Sequence, residues 1–257
     1  MMYKSLLVIL LLLLISSPAP ALEKTTAEQL AQQVYDRYIG NDMKLQGVMQ
    51  LISKKGHIRT REFISMRKES DGQRKLLIRF TSPADIDGTG FLTLEKNNSS
   101  KTEQHLYLPA LKRTRRIVAS QKGRSFVNSD FTYEDMQRHP VAEWNYQLNG
   151  EEKIAGSDCY ILISTPQSDT KTQYSKLISW IEKKHLIPVK TDFWNKKGKQ
   201  TKSYMVNKFV IIDTIATEVD VVMDDLTSGH KTRLVSKNIV YNSGLKNALF
   251  TTRALER

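Results

Sequence analysis

The chain has 257 residues, which allow one large domain or two small ones, and its formal charge at pH 7 is +12. Its single cysteine, Cys159, excludes an internal disulfide, so the fold must be stabilised by its core alone. Cys159 lies within an apolar run that continues to Ile163, and we therefore expect a buried structural thiol there and not a nucleophile.

The N-terminus has the layout of a cleavable secretory signal. Ten apolar residues, Leu6 to Ile15, follow Lys4 and precede small residues that end at Ala21. This run is shorter than the roughly 20 apolar residues that a transmembrane helix needs, although an uncleaved anchor is the alternative. We therefore predict cleavage after Ala21, so that residues 1–21 are removed and residues 22–257 form a single domain outside the cytosol.

The positive charge bears on the class of partner. The predicted signal carries only Lys4, so residues 22–257 retain a formal charge of about +11. In a cytosolic protein this charge would indicate nucleic-acid binding, but a secreted chain rarely meets nucleic acid. Anionic lipid head groups or an acidic protein are therefore the expected partners, with transient membrane contact and no nucleic acid.

One amphipathic helix is predicted at the start of the mature chain, over residues 22–40. Thr25 and Glu28 have the spacing of a capping box, and Gly40 predicts the end of the helix. Its apolar face would consist of Leu30, Val34 and Tyr38.

From Met43 onward the hydrophobic period changes from 3.6 to 2, which predicts strands. Met43, Leu45, Gly47, Met49 and Leu51 form one face of the first strand. In the second strand, the alternation assigns Ile58, Thr60, Glu62, Ile64 and Met66 to an apolar face. The opposite, charged face would then consist of His57, Arg59, Arg61, Phe63, Ser65 and Arg67.

Further strands are predicted at hairpin spacing along the chain, which is typical of an antiparallel barrel or sandwich. They cover residues 74–81, 90–95, 104–108 and 115–119, and, after an irregular segment at 126–140, residues 144–148, 159–165, 177–182, 188–194, 201–210, 217–223 and 231–241. The total is roughly a dozen strands. Residues 247–257 are predicted to form a final helical turn.

Motifs for catalysis or metal binding are weak. The five histidines show no zinc-binding spacing, and Asp224 and Asp225 fit a hairpin turn better than a calcium loop. No phosphate-binding glycine loop occurs, so we expect no cofactor and no enzyme activity. An enzyme acting on lipids or glycans, with Ser125, His139 or Asp135 in its site, is the least favoured hypothesis.

The basic run Lys112, Arg113, Arg115 and Arg116 has two interpretations of equal weight. It could pair with Glu134 and Asp135 and so attach the irregular segment to the sheet. Alternatively, it could form a positive rim that binds phosphate or lipid head groups, or a protein partner.

Several sequence blocks follow one another between Phe80 and Arg257: FTSPADIDGTGFLTLE, HLYLPALKRTRRI, SFVNSDFTYEDM, DDLTSGHKTRL and LFTTRALER. Together they resemble the outer-membrane lipoprotein-sorting proteins of the LolA-like superfamily. The matching residues are Pro83, Gly88, Phe91, Leu92, Tyr107, Leu108, Pro109, Arg113, Arg116, Asp130, Phe131, Tyr133, Asp135, Phe250, Thr251, Arg253 and Leu255. Unlike LolB, the chain has no cysteine at its start for a lipid anchor.

This resemblance implies a mainly β fold, in which a strongly curved antiparallel sheet forms an incomplete barrel. An N-terminal helix and short helices would cover the concave face, which receives acyl chains. The resemblance also implies a periplasmic location in a diderm bacterium, and an RND-type exporter as a candidate partner.

We therefore hypothesise a periplasmic carrier of lipid or of lipoprotein acyl chains. The predicted cavity residues are Met43, Leu45, Met49, Leu51, Leu76, Ile78, Phe80 and Phe91, although the same residues could simply fill an ordinary barrel core. The alternative function is a non-enzymatic accessory subunit that docks on an exporter through the basic run.

Overall fold

A computed structural model of the chain describes residues 26–96 and 101–256. The predicted signal at residues 1–21 and Thr25 of the predicted capping box lie outside these residues. Among the helices of the described part, none is long and apolar enough to span a membrane.

The part of the chain that the structure describes forms one antiparallel sheet of thirteen strands, which confirms the mainly β prediction. The strands are β1 (Asp42–Ile52), β2 (Ile58–Ser70), β3 (Gln73–Ser82), β4 (Gly90–Lys96), β5 (Thr102–Leu108), β6 (Arg113–Arg116), β7 (Trp144–Ile154), β8 (Ser157–Pro166), β9 (Tyr174–Glu182), β10 (Pro188–Asn195), β11 (Gln200–Ile212), β12 (Ile215–Asp225) and β13 (His230–Tyr241). Within the described residues two α-helices accompany them, α1 (Ala27–Tyr35) and α2 (Thr252–Leu255). Two strands differ clearly from their predicted ranges. β6 ends at Arg116, before a short 3-10 turn that begins at Ala119, and β7 continues to Ile154, six residues beyond its predicted end.

The sheet is curved but not closed into a barrel. Its strand order is β6-β5-β4-β3-β2-β1-β13-β12-β11-β10-β9-β8-β7, so β6 and β7 form its two edges although they follow each other in the chain. Residues 117–143, which we call the strap, therefore pass from one edge to the other. Side chains of the strap, of β3 and of β12 line one common cavity, so the strap crosses the concave face.

Hydrogen bonds attach the strap to strands from both halves of the sheet. Gln104 Nε2 on β5 donates to the Tyr133 carbonyl at 2.7 Å. On β13, Thr232 Oγ1 accepts from the Asp130 amide at 2.9 Å and donates to the Asp130 carboxylate at 2.6 Å. The predicted irregular segment thus has a defined position without being a strand or an α-helix.

Strand β1 confirms the predicted alternation, whereas the face assignment of β2 is wrong. The buried residues of β2 are Arg61, Phe63, Ser65 and Arg67, which had been assigned to the charged face. In the antiparallel register Gly47 lies opposite Phe63, and directly paired residues share a face of the sheet. Gly47 leaves the space that the Phe63 ring occupies, since a Cβ at this position would overlap the ring.

The misassignment has a physical cause, because both faces of β2 are covered. The C-terminal residues pack on the convex face, where Met66 contacts a cluster formed by Leu77, Leu92, Phe250 and Leu255. Apolar side chains on both faces make a period-2 pattern ambiguous.

Helix α1 is shorter than predicted and starts one residue later than the predicted capping box requires. Thr26 Oγ1 accepts from the Gln29 amide at 3.2 Å, and Gln29 Oε1 accepts from the Thr26 amide at 2.7 Å. The helix ends at Tyr35, so Tyr38 is exposed and is not part of its apolar face. Leu30 packs against β8 and β9, which places α1 on the concave face.

The C-terminal turn is present as α2, but it lies on the convex face. Leu255 is fully buried there, and a Cβ at Gly90 would come within 2.6 Å of Leu255 Cδ1. Arg79 Nη2 donates to the carbonyls of Ala254 and Leu255 at 2.9 and 3.0 Å. Of the two helices, only α1 covers the concave face as the resemblance implied.

Candidate binding cavity

The concave face encloses an open cavity of about 670 Å³ between the sheet, α1 and the strap. Ligand pockets in proteins commonly have volumes of about 300–1,000 Å³. The apolar face therefore borders free space. It is the wall of a cavity and not the filled core of an ordinary barrel.

Five of the eight predicted cavity residues line this space. They are Leu45, Met49, Leu76, Ile78 and Phe80. They come from β1 and β3, where every second residue points to the concave side.

The other three predicted residues belong to the packed core around the cavity. Leu51 is buried in it, and Met43 packs against it half-buried. The Phe91 ring is fully buried between the rings of Phe126 and Tyr133, with centroid distances of 4.9 and 5.8 Å. Phe91 thus supports the strap and does not face the open space.

The sequence did not reveal the contribution of the strap and of the second half of the sheet. Phe126, Phe131 and Met136 of the strap line the cavity, as do Phe193 on β10 and Met223 on β12. The block SFVNSDFTYEDM was a signal for the strap, but its position over the concave face depends on contacts far apart in sequence.

Charged side chains line one end of the cavity, which sequence reasoning also missed. They are Arg37, Arg74, Glu95, Arg138 and Glu218, and we call them the charged end. Arg74 and Glu95 are directly paired residues of β3 and β4, and Glu69 lies opposite Arg74 on β2.

Arg138 contacts both glutamates near Arg74. Its Nε lies 3.2 Å from Glu95 Oε2, and its backbone amide donates to Glu95 Oε1 at 3.1 Å. Its Nη1 lies 3.8 Å from Glu69 Oε1. The Arg138 guanidinium also stacks on the Tyr35 ring at 4.5 Å, which ties the strap to the end of α1.

Glu218 faces this group from the opposite half of the sheet. Burial raises the pKa of its carboxyl, while the positive charges of Arg37 and Arg74 and the neighbouring Tyr204 hydroxyl act in the opposite direction. Burial also raises the pKa of Tyr204 well above its ordinary value. Within the described ranges Glu218 forms no salt bridge, and the Tyr204 hydroxyl is its hydrogen-bonding neighbour.

The residues of the enzyme hypothesis do not form a catalytic relay. The Asp135 carboxylate accepts from Lys202 Nζ at 2.7 Å and from the Tyr174 hydroxyl. Ser125 donates to the Ser129 carbonyl, and the His139 ring packs against Trp144. Among the residues that the structure describes, no group of three or more His, Cys, Asp or Glu side chains could hold a metal ion. Cys159 is buried, as predicted.

The basic run does not pair with the carboxylates of the strap, so that interpretation is wrong. Asp135 binds Lys202, and Glu134 accepts from the Gln173 amide at 3.1 Å and from the Thr172 hydroxyl. The side chains of Lys112, Arg113, Arg115 and Arg116 are exposed at the edge strand β6 and the turn before it.

Comparisons with known proteins agree with this architecture. A protein-family model described as an uncharacterized protein family matches residues 72–257. The crystal structure of a DUF1329 family protein from Desulfovibrio piger is 32% identical with a TM-score of 0.84, over 89% of this chain and 97% of that one. A domain named for outer membrane lipoprotein sorting, from Vibrio parahaemolyticus, is 28% identical with a TM-score of 0.83, over 90% and 98% of the two chains.

A third solved structure shows the fold alone. The LolA superfamily protein NE2245 from Nitrosomonas europaea is 19% identical with a TM-score of 0.68, over 90% of this chain and 100% of that one. Among curated proteins, none matches the sequence significantly.

Proposed function

This chain belongs to the DUF1329 family, and on that basis we propose that it is a carrier that reversibly binds lipid or the acyl chains of lipoproteins in its cavity. The observation that carries the proposal is the open cavity of about 670 Å³ with apolar walls on the concave face. The similarity to a domain named for lipoprotein sorting supports the same class of cargo.

The physical argument rests on the cost of exposing hydrocarbon to water. Each methylene transferred out of water is worth about 0.8 kcal/mol, so an acyl chain cannot cross an aqueous gap readily unless a protein encloses it. Flexible and aromatic side chains such as Met49, Met223 and Phe80 can accept chains of varied shape. Reversible burial needs no covalent chemistry, and the proposal includes neither an enzyme activity nor a cofactor.

The proposed location is the periplasm. The signal-like residues 1–21 support it. In that compartment a carrier would move cargo between two membranes, and its excess of basic residues would favour transient contact with anionic lipid surfaces.

A cavity-narrowing substitution tests the carrier proposal. Leu76 lines the cavity and is half-buried, so a tryptophan there can extend into the open space without displacing packed neighbours. We expect the delipidated wild-type chain to bind a fluorescent fatty acid saturably, and Leu76→Trp to weaken that binding at least tenfold. Fluorescence titration gives both affinities.

The matched control is Ile211→Trp, which adds a similar volume at an exposed position of β11. It should bind the probe as the wild type does. Absence of saturable binding to the wild type, together with no lipid in mass spectra of the gently purified protein, would contradict the carrier proposal.

A second candidate function is an accessory subunit that docks on an RND-type exporter. It is favoured by the exposed Arg113, Arg115 and Arg116 on an edge strand, next to Leu111, which is 67% exposed. An apolar tip flanked by positive charge is suited to binding an acidic protein surface.

Charge reversal tests this docking surface. We expect Arg113→Glu combined with Arg116→Glu to abolish co-purification with an exporter of the same envelope, because four units of charge change at the contact. Lys196→Glu combined with Lys197→Glu, in the exposed turn between β10 and β11, changes the net charge equally and should retain the partner. Retention by both double variants would contradict docking through the basic run.

A further inference from the structure

The two ends of the cavity differ in polarity, since one is lined by charged and the other by aromatic side chains. On β3 the side chains that line it are, in order, Arg74, Leu76, Ile78 and Phe80. At about 3.3 Å per residue, the six-residue separation of Arg74 and Phe80 corresponds to roughly 20 Å. The cavity therefore runs from the charged end to an aromatic end, whose side chains are Phe63, Phe80, Phe126, Phe131 and Phe193.

The strand register places Glu218 at the same end as Arg74. The Met43 end of β1 pairs with Arg67 on β2 and with Tyr241 on β13. The Tyr241 hydroxyl in turn lies 2.8 Å from Thr217 Oγ1, the residue before Glu218. Arg74 and Glu218 thus belong to opposite halves of the sheet at one end of the trough.

The Arg74 guanidinium differs from the other arginines at this end. Arg37 donates to the Ala216 carbonyl, Arg67 to the Ile39 carbonyl and Arg138 to Glu95. In contrast, no group among residues 26–96 and 101–256 accepts a hydrogen bond from Arg74 or forms a salt bridge with it. A guanidinium offers five N–H donors, and leaving them without acceptors in a desolvated site is unfavourable.

The sign of the charge at this end favours an anion. When Arg67 and Glu69, which lie next to the charged end, are included, four arginines stand against three glutamates. Two of the glutamates already contact Arg138. The third, Glu218, lies in a buried position that raises the pKa of its carboxyl.

We propose that the cavity binds one amphiphile whose anionic phosphate or carboxylate head contacts Arg74, with its hydrocarbon extending past Ile78 to Phe80. Bidentate hydrogen bonds from a guanidinium to such oxygens are strong and directional. This inference rests on the proposed carrier function and narrows its cargo to a lipid that enters with its head group.

Amphiphiles with one alkyl chain and different heads test the inference on the wild-type chain. Isothermal titration calorimetry below the critical micelle concentration would compare dodecyl phosphate, lauric acid, dodecanol and dodecyltrimethylammonium. We expect the phosphate or the carboxylate to bind at least tenfold more tightly than dodecanol and the cation. The two anionic probes identify which head is preferred, and inorganic phosphate alone shows whether the anion site acts without a chain.

Substitution of Arg74 assigns the preference to its guanidinium. Arg74→Met should remove the tenfold preference for the anionic head while leaving the affinity for dodecanol unchanged. Arg59→Met removes a guanidinium from an exposed position on β2 and should retain the preference. If Arg74→Met does not fold, as judged by circular dichroism, Arg74→Lys replaces it and should reduce the preference without abolishing it.

The outcomes separate this inference from the carrier proposal. Equal affinity of the wild type for all four heads would overturn the head-group inference while leaving the carrier function standing. If Arg74→Met weakened the affinity for all four ligands equally, that result would also overturn the head-group inference. Failure of every alkyl ligand to bind the wild type would overturn the carrier function itself.

Discussion

Replacing Phe80 with alanine is expected to lower the free energy of unfolding by about 3–5 kcal/mol. Phe80 is 0% exposed, and its ring lies 5.9 Å from the Phe63 centroid and 6.2 Å from that of Phe126 on the strap. The substitution removes contacts between the sheet and the strap and leaves a void next to the existing cavity, where rigid neighbours cannot collapse. Urea unfolding followed by circular dichroism measures the loss.

The control for this prediction is Phe209→Ala. Phe209 is a half-buried phenylalanine of β11 whose ring packs against His185 at 5.6 Å. Because folding removes less of the Phe209 surface from water, Phe209→Ala should lower the free energy of unfolding by less than half as much as Phe80→Ala does. Similar losses in the two variants would show that the strap contacts of Phe80 contribute little.

The second large effect is expected for Asp42→Ala, at about 2–4 kcal/mol. Asp42 is 4% exposed at the start of β1, and its carboxylate accepts four hydrogen bonds from the segment after β13. Oδ1 accepts from the amide and hydroxyl of Ser243 at 2.8 and 3.0 Å, and Oδ2 from the amides of Gly244 and Leu245 at 2.9 Å each. The substitution leaves these donors without their acceptor and releases the segment that leads to α2.

The Asp42 contribution should depend on pH in a defined direction. Burial raises the pKa of this carboxyl, but its hydrogen bonds with Leu245, Ser243 and Gly244 together outweigh burial, so the pKa lies below its ordinary value of 3.8. A group with a lowered folded-state pKa stabilises the fold above its unfolded pKa, and this stabilisation is lost as the pH falls through the folded value. The free energy of unfolding that Asp42→Ala loses relative to the wild type should therefore have its full value at pH 7 and 5 and become smaller below about pH 3.8.

Urea unfolding at pH 7, 5 and 3 measures this dependence. Asp169→Ala, at an exposed position between β8 and β9, should change stability by less than about 0.5 kcal/mol at each pH. An Asp42 effect that stays constant down to pH 3 would show that the ionised carboxylate is not the stabilising species.

The strands could be predicted because their signal is local. Alternating apolar residues and turn residues act over a few positions, and they identified most strands to within three residues, although β7 extends six residues beyond its predicted end. The same reasoning failed for β2, where the strap covers one face and the C-terminal residues the other. Its burial was therefore set by elements distant in the sequence, and not by its own hydrophobic pattern.

The residues of the candidate site could likewise be predicted only where the signal lies within one strand. Leu45, Met49 and Leu76 were identified because alternation within one strand shows which side chains share a face. Phe91 was assigned to the same face, but only the strap rings packed against it show that it is enclosed in the core.

By itself the sequence determined the strand pattern, the helix at the start of the described chain and the apolar character of one face of the sheet. The tertiary structure alone decided that this face encloses free space and that Arg74 and Glu218, 144 positions apart, meet at its charged end. The physical reason is that strand alternation depends on neighbours two positions away, whereas the cavity depends on sheet curvature and on where the strap crosses it.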